Sequence, residues 1–266
     1  MAVSYQTLRS DLPLDQRTYI VSGAGGGIGG AAVARLLRTG ANVVGTDLSG
    51  KRLAGTAEAT QDLPGKLEVV KADLTTEDGV AQVVETALET FGSVQGVANV
   101  AGGMVNINQD VYDVPLADYS LQDFVQMFAL NVNSAFLMCR ALEPHFFAQQ
   151  YGKIVNVASL AAFANRLELG NIAYNSAKAA VVALTQTISV QSGRKGVRAN
   201  CIAPGLVLSA RVQQFIQDDY MQRHLDYTTL GDLATPDDLA EGIAFFLEPQ
   251  SDAVTGETMR VAAGVR

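Results

Sequence analysis

Five glycines crowd into seven residues, Gly23-Ala24-Gly25-Gly26-Gly27-Ile28-Gly29, directly after the β-prone run Thr18 to Ser22. From this turn to about Arg38 the chain reads as helix. Glycines at a strand-to-helix junction let the backbone approach a pyrophosphate, whose charge then rests on the free N–H groups of the helix N-terminus. A flexible turn would use the same residues, so context decides. Here the helix leads to a second strand, Asn42 to Thr46, that ends in Asp47. A carboxylate at that strand end can accept both hydroxyls of an adenosine ribose and repels a 2′-phosphate. The competing role for Asp47 is a helix N-cap.

Beyond this unit, short β-rich runs alternate with longer helical stretches, the pattern of a parallel sheet covered by helices on both faces. A helix near Lys51 to Thr60 precedes a third strand, Lys66 to Ala72, and then Asp73 and Leu74. Asp73 at a strand's carboxyl end suits either the adenine edge or a cap for the helix running from Gly79 to Phe91. The next strand, Val94 to Asn99, closes on Asn99-Val100-Ala101-Gly102. An Asn there can bridge backbone groups of adjacent strands, and the small residues after it leave room for a nicotinamide ribose. A plain strand-to-loop turn is the alternative. With 266 residues, 48% of them hydrophobic, the chain can bury a large core; the reading is one domain, 18–266, behind an N-terminal extension, 1–17.

A net charge of -8 argues against nucleic acid or an anionic membrane as partner and leaves a small ligand. Cys139 and Cys201 match no metal spacing or redox pair and read as buried thiols in a reducing compartment. No run of eighteen apolar residues is present, and Met1 to Arg17 lacks the apolar core of a signal peptide, so a soluble cytoplasmic protein without a metal is expected.

Tyr174-Asn175-Ser176-Ala177-Lys178 places a phenol and an ammonium four residues apart. The Ala-rich stretch Ile172 to Val190 is a natural helix, on which both side chains face one way. The ammonium favours the phenolate and pulls a Tyr down from about 10 toward neutrality, where it can take a proton from an alcohol. Alone, the same spacing also describes an exposed i,i+4 pair.

In order along the chain, these motifs resemble the short-chain dehydrogenase/reductase family from about Arg17 to the C-terminus. The family's Thr-Gly-x-x-x-Gly-x-Gly appears as Ser22-Gly23-Ala24-Gly25-Gly26-Gly27-Ile28-Gly29, and its Asn-Asn-Ala-Gly as Asn99-Val100-Ala101-Gly102. Its active-site Asn and Ser match Asn131 and Ser159, the latter after a strand Lys153 to Ala158. Its Tyr and Lys match Tyr174 and Lys178, and its Pro-Gly matches Pro204-Gly205 after a strand Val197 to Ala203. The resemblance implies a Rossmann-type, doubly wound α/β fold of about seven parallel strands. It implies Asn131, Ser159, Tyr174 and Lys178 as catalytic residues and NAD as cofactor. Contacts to NAD would come from Ser22, Gly23, Gly27, Ile28 and Gly29, from Asp47, Asp73 and Leu74, and from Asn99, Ala101 and Gly102. Tyr174, Lys178, Pro204, Gly205, Val207 and Ser209 would complete them, with Ser209 standing where the family has Thr. A homotetramer or homodimer is implied as well, its helices Leu121 to Phe147 and Ile172 to Val190 packing against copies through Ala180, Ala183, Leu184 and Ile188.

In this scheme Tyr174 takes the hydroxyl proton, Ser159 holds the substrate oxygen, Lys178 grips the nicotinamide ribose, and Asn131 holds a water linking Lys178 to solvent. Met104, Leu160, Phe163 and Leu206 are the expected substrate contacts, with Leu167, Leu208 and Phe215 further candidates; core packing is the alternative for each. The segment between Gly102 and Asn131, with Asn106, Asn108 and Tyr112, is longer than is usual for the family and suits a pocket rim. A helical lid is expected over about 206–228. Arg166 and Arg211 are the sole candidates to meet an anion, so the substrate is expected to be a neutral, fairly hydrophobic secondary alcohol or its ketone. A ketoacyl-carrier-protein reductase and a non-catalytic NAD-binding protein are the alternatives. Because Lys51 and Arg52 stand a helical turn beyond Asp47, NAD is expected to be preferred over NADP by at least about a hundredfold. His145 should pack and His224 should be solvated.

Overall fold

Every residue of Thr18–Ser22 (β1) is buried, yet neighbours along it serve different cores. Tyr19 and Val21 face one layer and Ile20 the other, as the two-residue period of a strand requires. A strand apolar on both faces must be covered on both, which is the condition of a parallel sheet. The computed structural model describes residues 14–104, 114–163, 171–209, 212–213 and 218–265. The expectations placed on Asn106, Asn108, Tyr112, Arg166, Leu167, Arg211 and Phe215 lie outside them, as does most of the N-terminal extension.

After β1 come Gly27–Arg38 (α1), Asn42–Asp47 (β2), Gly50–Thr60 (α2), Lys66–Lys71 (β3), Glu77–Phe91 (α3) and Gly96–Asn99 (β4). Leu121–Phe128 (α4), Ser134–Ala148 (α5), Gly152–Val157 (β5), Ile172–Ser192 (α6) and Val197–Pro204 (β6) come next. Asp218–Asp226 (α7), Pro236–Leu247 (α8) and Thr258–Val261 (β7) complete the described elements. The seven strands are parallel in the order β3-β2-β1-β4-β5-β6-β7. One face is covered by α1 and α8, which bring Val33, Leu36, Leu37, Leu239, Ile243 and Leu247; the other by α3 and α5, which bring Val80, Val83, Met138, Leu142 and Phe146. The chain works outward from β1 to β3 and then resumes on the far side of β1 with β4. At that reversal the loops leaving β1 and β4 diverge and open a cleft at the carboxyl ends of the strands.

The helix predicted from Leu121 to Phe147 is interrupted. Ala129–Asn133 forms a π-turn between α4 and α5, although the stretch holds neither Gly nor Pro. The extra residue of such a turn swings Asn131 inward, where its Nδ2 donates to the Met127 carbonyl at 2.9 Å. His145 packs as expected, accepting from the Val94 N–H at 3.0 Å, and burial lowers its pKa. His224 differs from its expectation, being half-buried in α7.

At the opposite, amino end of the sheet sits a buried ionic network. Lys153 on β5 is fully buried, and its ammonium meets Asp252 Oδ1 at 2.8 Å, the Glu248 carbonyl at 2.6 Å and Ser251 Oγ at 2.8 Å. Its three protons therefore have three acceptors. Tyr151 donates to the same Asp252 oxygen at 3.1 Å and accepts from Arg17 Nη1 at 3.0 Å. Burial pulls Lys153 down to about 8, while Asp252 holds the charge in place. Removing one member of a buried ion pair strands the other, so Lys153→Met should destabilise the protein by about 3–5 kcal/mol. Urea unfolding measures this; an unchanged midpoint would show that Asp252 finds other partners.

Candidate active site

The cleft at the reversal point has a volume of roughly 660 Å³. Its floor is the glycine turn. Gly23 takes a φ of +65°, and a Cβ there would stand 2.9 Å from the Ala101 amide nitrogen, so a side chain would push apart the loops after β1 and β4. Ser22 reinforces the same junction from behind, its Oγ accepting from the Ala101 N–H at 3.0 Å. Gly26, at the N-cap of α1, offers no side chain to the first-turn N–H groups, and Gly26 to Gly29 line the cleft.

At one end of the cleft β2 ends on Asp47, whose side chain is almost wholly buried. It does not cap α2. Ser49 does, accepting from the Arg52 N–H at 3.3 Å. Asp47 instead accepts from the Gly25 N–H at 3.2 Å, the Ser49 N–H at 2.8 Å and Arg52 Nη2 at 2.6 Å. Arg52, read from the sequence as standing a turn away, thus reaches back to the carboxylate itself. Asp73 and Leu74 line the same end. Asp73 is not the cap of α3 either: its carboxylate accepts from the N–H and hydroxyl of Thr75, and Thr76 caps the helix.

Asn99 turns away from the cleft. Rather than bridging strand backbones, its Nδ2 donates to Asn156 Oδ1 at 2.8 Å and meets Cys139 Sγ at 3.4 Å. The register places Asn99 opposite Asn156 on the neighbouring strand, and two buried amides satisfy each other. Asn156 passes the chain on to Thr185 Oγ1 at 2.9 Å.

At the other end, Asn171 caps α6 by accepting from the Tyr174 N–H at 2.8 Å, which sets Tyr174 in the first turn and Lys178 one turn later. Lys178 is 3% exposed, its Nζ donates to the Val157 carbonyl at 2.9 Å and stands 5.7 Å from the Tyr174 ring centre. Desolvation pulls it down to about 8. Asn131 closes the wall behind it, with Oδ1 accepting from the Gly103 N–H and Nδ2 donating to the Gly103 carbonyl, both at 2.9 Å. A Cβ on Gly102 would stand 2.7 Å from Asn131 Oδ1 and 3.1 Å from Lys178 Nζ. Ser159 carries the chain from β5 into the cleft, its Oγ accepting from the Ala161 N–H at 3.1 Å.

The structure therefore brings Gly23, Gly27, Ile28, Gly29, Asp47, Asp73, Leu74, Ala101, Gly102, Ser159, Tyr174 and Lys178 to one cleft, together with Pro204, Gly205, Val207 and Ser209. Met104 and Leu206 line it as well. Ser22, Asn99 and Asn131 stand behind its wall, and Leu160 and Phe163 stand outside it. Phe163 is 41% exposed and lies under the Arg260 guanidinium at 4.8 Å, so its ring faces a cation at the surface. Arg52, Gly103, Leu130 and Ser134 line the cleft without having been singled out for it from the sequence.

A family model described as Enoyl-(Acyl carrier protein) reductase matches residues 23–266. The short-chain reductase protein NovJ of Streptomyces niveus is 30% identical over 251 residues, 92% of each chain. The chain belongs to the short-chain dehydrogenase/reductase family. Another relative, the 7alpha-hydroxysteroid dehydrogenase of Escherichia coli (strain K12), is 29% identical over 254 residues, 96% of each chain. A solved 7 alpha-hydroxysteroid dehydrogenase complexed with NADH and 7-oxo glycochenodeoxycholic acid matches with a TM-score of 0.86 at 27% identity, over 99% of this chain and 98% of that one. As a short-chain dehydrogenase/reductase the protein is an oxidoreductase acting on CH–OH groups. Among the described residues no helix is long and apolar enough to cross a membrane.

Burial is the main cause of the Lys178 shift, so the ammonium should release its proton near pH 8, below the 10.5 of a solvated lysine. In lysine-labelled protein, the resonance missing from Lys178→Met should titrate in that range. Titration near 10.5 would show that water reaches Nζ.

Proposed function

We propose that the protein is an NAD-dependent dehydrogenase/reductase that interconverts a neutral, fairly hydrophobic secondary alcohol and its ketone. The observation that carries this reading is the buried Lys178 ammonium one turn from Tyr174, at the end of the cleft where Ser159 enters. A buried cation beside a phenol favours the phenolate, and a phenolate is a competent base for an alcohol.

The residues suit a dinucleotide. The turn at Gly23 to Gly29 and the uncapped start of α1 would receive the pyrophosphate, Asp47 the adenosine ribose, and Lys178 with the Ala101-Gly102 loop the nicotinamide ribose. When bound, NAD supplies the hydride acceptor. Tyr174 accepts the alcohol proton at its phenolate oxygen, and the Ser159 hydroxyl holds the substrate oxygen. Asn131 acts by position: its amide protons are committed to Gly103 and Met127, so a water serving Lys178 would need a main-chain partner.

Two observations support a neutral substrate. Among the described lining residues the charged ones are Asp47, Arg52, Asp73 and Lys178, of which Lys178 alone stands at the Tyr174 end. Met104, Leu130, Leu206 and Val212 supply apolar wall to the cleft, and relatives named 7alpha- and 3beta-hydroxysteroid dehydrogenases fit such a surface. We assign a single catalytic domain, 18–266, with a lid over about 206–228, of which 210–211 and 214–217 lie outside the described residues; Leu206, Val207, Ser209 and Val212 line the cleft. The buried free thiols of Cys139 and Cys201 suit a reducing cytoplasm.

The protein is assigned as a homotetramer or homodimer. Leu121 and Val125 on α4 and Phe136 on α5 are 77%, 56% and 44% exposed, apolar surface that a second copy would cover. Of the residues first read as that surface, Ala183 is exposed, while Ala180, Leu184 and Ile188 are half-buried. Light scattering should give the mass of a dimer or tetramer, and a monomer at micromolar concentration would overturn this.

Incubation with NAD and a panel of hydrophobic secondary alcohols, with absorbance of the reduced cofactor as the readout, tests the activity. Tyr174→Phe should lower turnover by about 10²–10⁴-fold while NAD affinity stays within a few-fold. Undiminished turnover would remove Tyr174 from the chemistry.

A further inference from the structure

We infer that Tyr119 and Asn171 are positioning residues for the proton transfer: the Tyr119 hydroxyl fixes the Asn171 amide, and Asn171 fixes Tyr174. The inference rests on the reading of Tyr174 as the base and adds what holds that base in place.

Tyr174 is the third residue of α6, so its own N–H is among those that a helix start leaves without a partner inside the helix. Asn171 supplies the partner, its Oδ1 accepting that N–H at 2.8 Å. The cap therefore acts on the very residue that carries the phenol. The same Oδ1 accepts from the Tyr119 hydroxyl at 3.2 Å. An amide oxygen has two lone pairs, and these two donors use both. One orientation of the amide is thereby selected, because turning it over would set its NH2 group against the Tyr174 N–H.

Both residues are built into the fold. Asn171 is 1% exposed, so losing a donor to its oxygen cannot be made good by bulk water. Tyr119 is half-buried, between the 3-10 turn Leu116–Asp118 and Ser120, which caps α4 by accepting from the Asp123 N–H at 3.4 Å. Its ring packs in one apolar cluster with Met127 of α4, Ala173 and Ala177 of α6, and the Tyr174 ring. Two alanines at that contact let α4 close on the first turns of α6. The Tyr119 hydroxyl is the polar end of an otherwise apolar helix contact. A phenylalanine would fill the cluster equally well, so packing alone does not account for the oxygen.

Neither residue is part of the cleft lining, and their route to the reaction runs through the Tyr174 backbone. The phenol must meet the alcohol at hydrogen-bond distance while Lys178 Nζ stands 5.7 Å from its ring centre. A displacement of about 1 Å can cost a reaction roughly a hundredfold in rate. Tyr174 hangs from a helix end, where fraying is easiest, and the doubly bonded Asn171 oxygen closes that end.

The test takes an alcohol that the unmodified protein oxidises with NAD and reads kcat, KM and NAD affinity separately. Tyr119→Phe removes one oxygen and should lower kcat by about two- to tenfold, the worth of one neutral hydrogen bond, with KM and NAD affinity within about twofold. Asn171→Ala should lower kcat by roughly 10–100-fold, and Asn171→Asp, which keeps an acceptor for both donors, should restore most of that loss. Adding Tyr119→Phe to Asn171→Ala should change kcat no further, since the oxygen that relays its effect is gone. A purely structural role would instead lower the melting temperature and leave kcat per folded molecule unchanged. Unchanged kcat in Tyr119→Phe, or the same loss from that change with and without Asn171, would overturn the inference and leave Tyr174 as the base. Full turnover in Tyr174→Phe, or no turnover of any alcohol by the unmodified protein, would sink the reading beneath it and the inference with it.

Discussion

A buried ammonium is what the carboxyl end of this sheet is arranged to hold. Taking Lys178 out of water is costly, and its neighbourhood is shaped to offset that cost. β5 ends so that the Val157 carbonyl meets Nζ at 2.9 Å. Gly102 lacks the side chain that would crowd Nζ, and the π-turn brings Asn131 around to pin the next residue, Gly103, by both its N–H and its carbonyl. A strand end, a loop glycine and a helix irregularity, far apart in the chain, answer to one charge.

The two ends of the sheet treat lysine in contrasting ways. At the amino end Lys153 has a carboxylate, a hydroxyl and a carbonyl for its three protons, so its ammonium has no proton to spare. At the carboxyl end Lys178 has one carbonyl and lines the cleft. Burial lowers both to about 8. The difference lies in spare hydrogen-bonding capacity, which is what separates a group that holds a fold together from one available to a ligand.

Much of this was legible in the sequence because it depends on local pattern. Runs of β-branched residues marked the strands, the glycine turn announced the junction of β1 and α1, and Tyr174 and Lys178 declared their shared helix face. What escaped depended on side-chain direction across distance. Nothing in the run Leu121 to Phe147 shows that Asn131 draws a π-turn to itself, since the acceptor it serves lies at Gly103. Asn99 could not be seen to prefer the interior until β4 and β5 were in register with Asn156 opposite. Arg52 was counted by its sequence distance from Asp47, whereas a helix start directs a long side chain back over the preceding loop. Phe163 has the right chemistry for a pocket, and only tertiary packing reveals that Arg260 covers it.

The π-turn carries a further consequence. One residue more than a regular helix needs rotates everything before it by about 100° relative to everything after. The facing of α4, with Leu121 and Val125 toward solvent, and the anchoring of Gly103 are therefore set by the same insertion. Deleting one residue from Ala129–Asn133 would turn the outer surface and release the cleft wall in a single step. The cleft wall and the outer face of α4 cannot drift apart independently in this chain, because a shared register ties them.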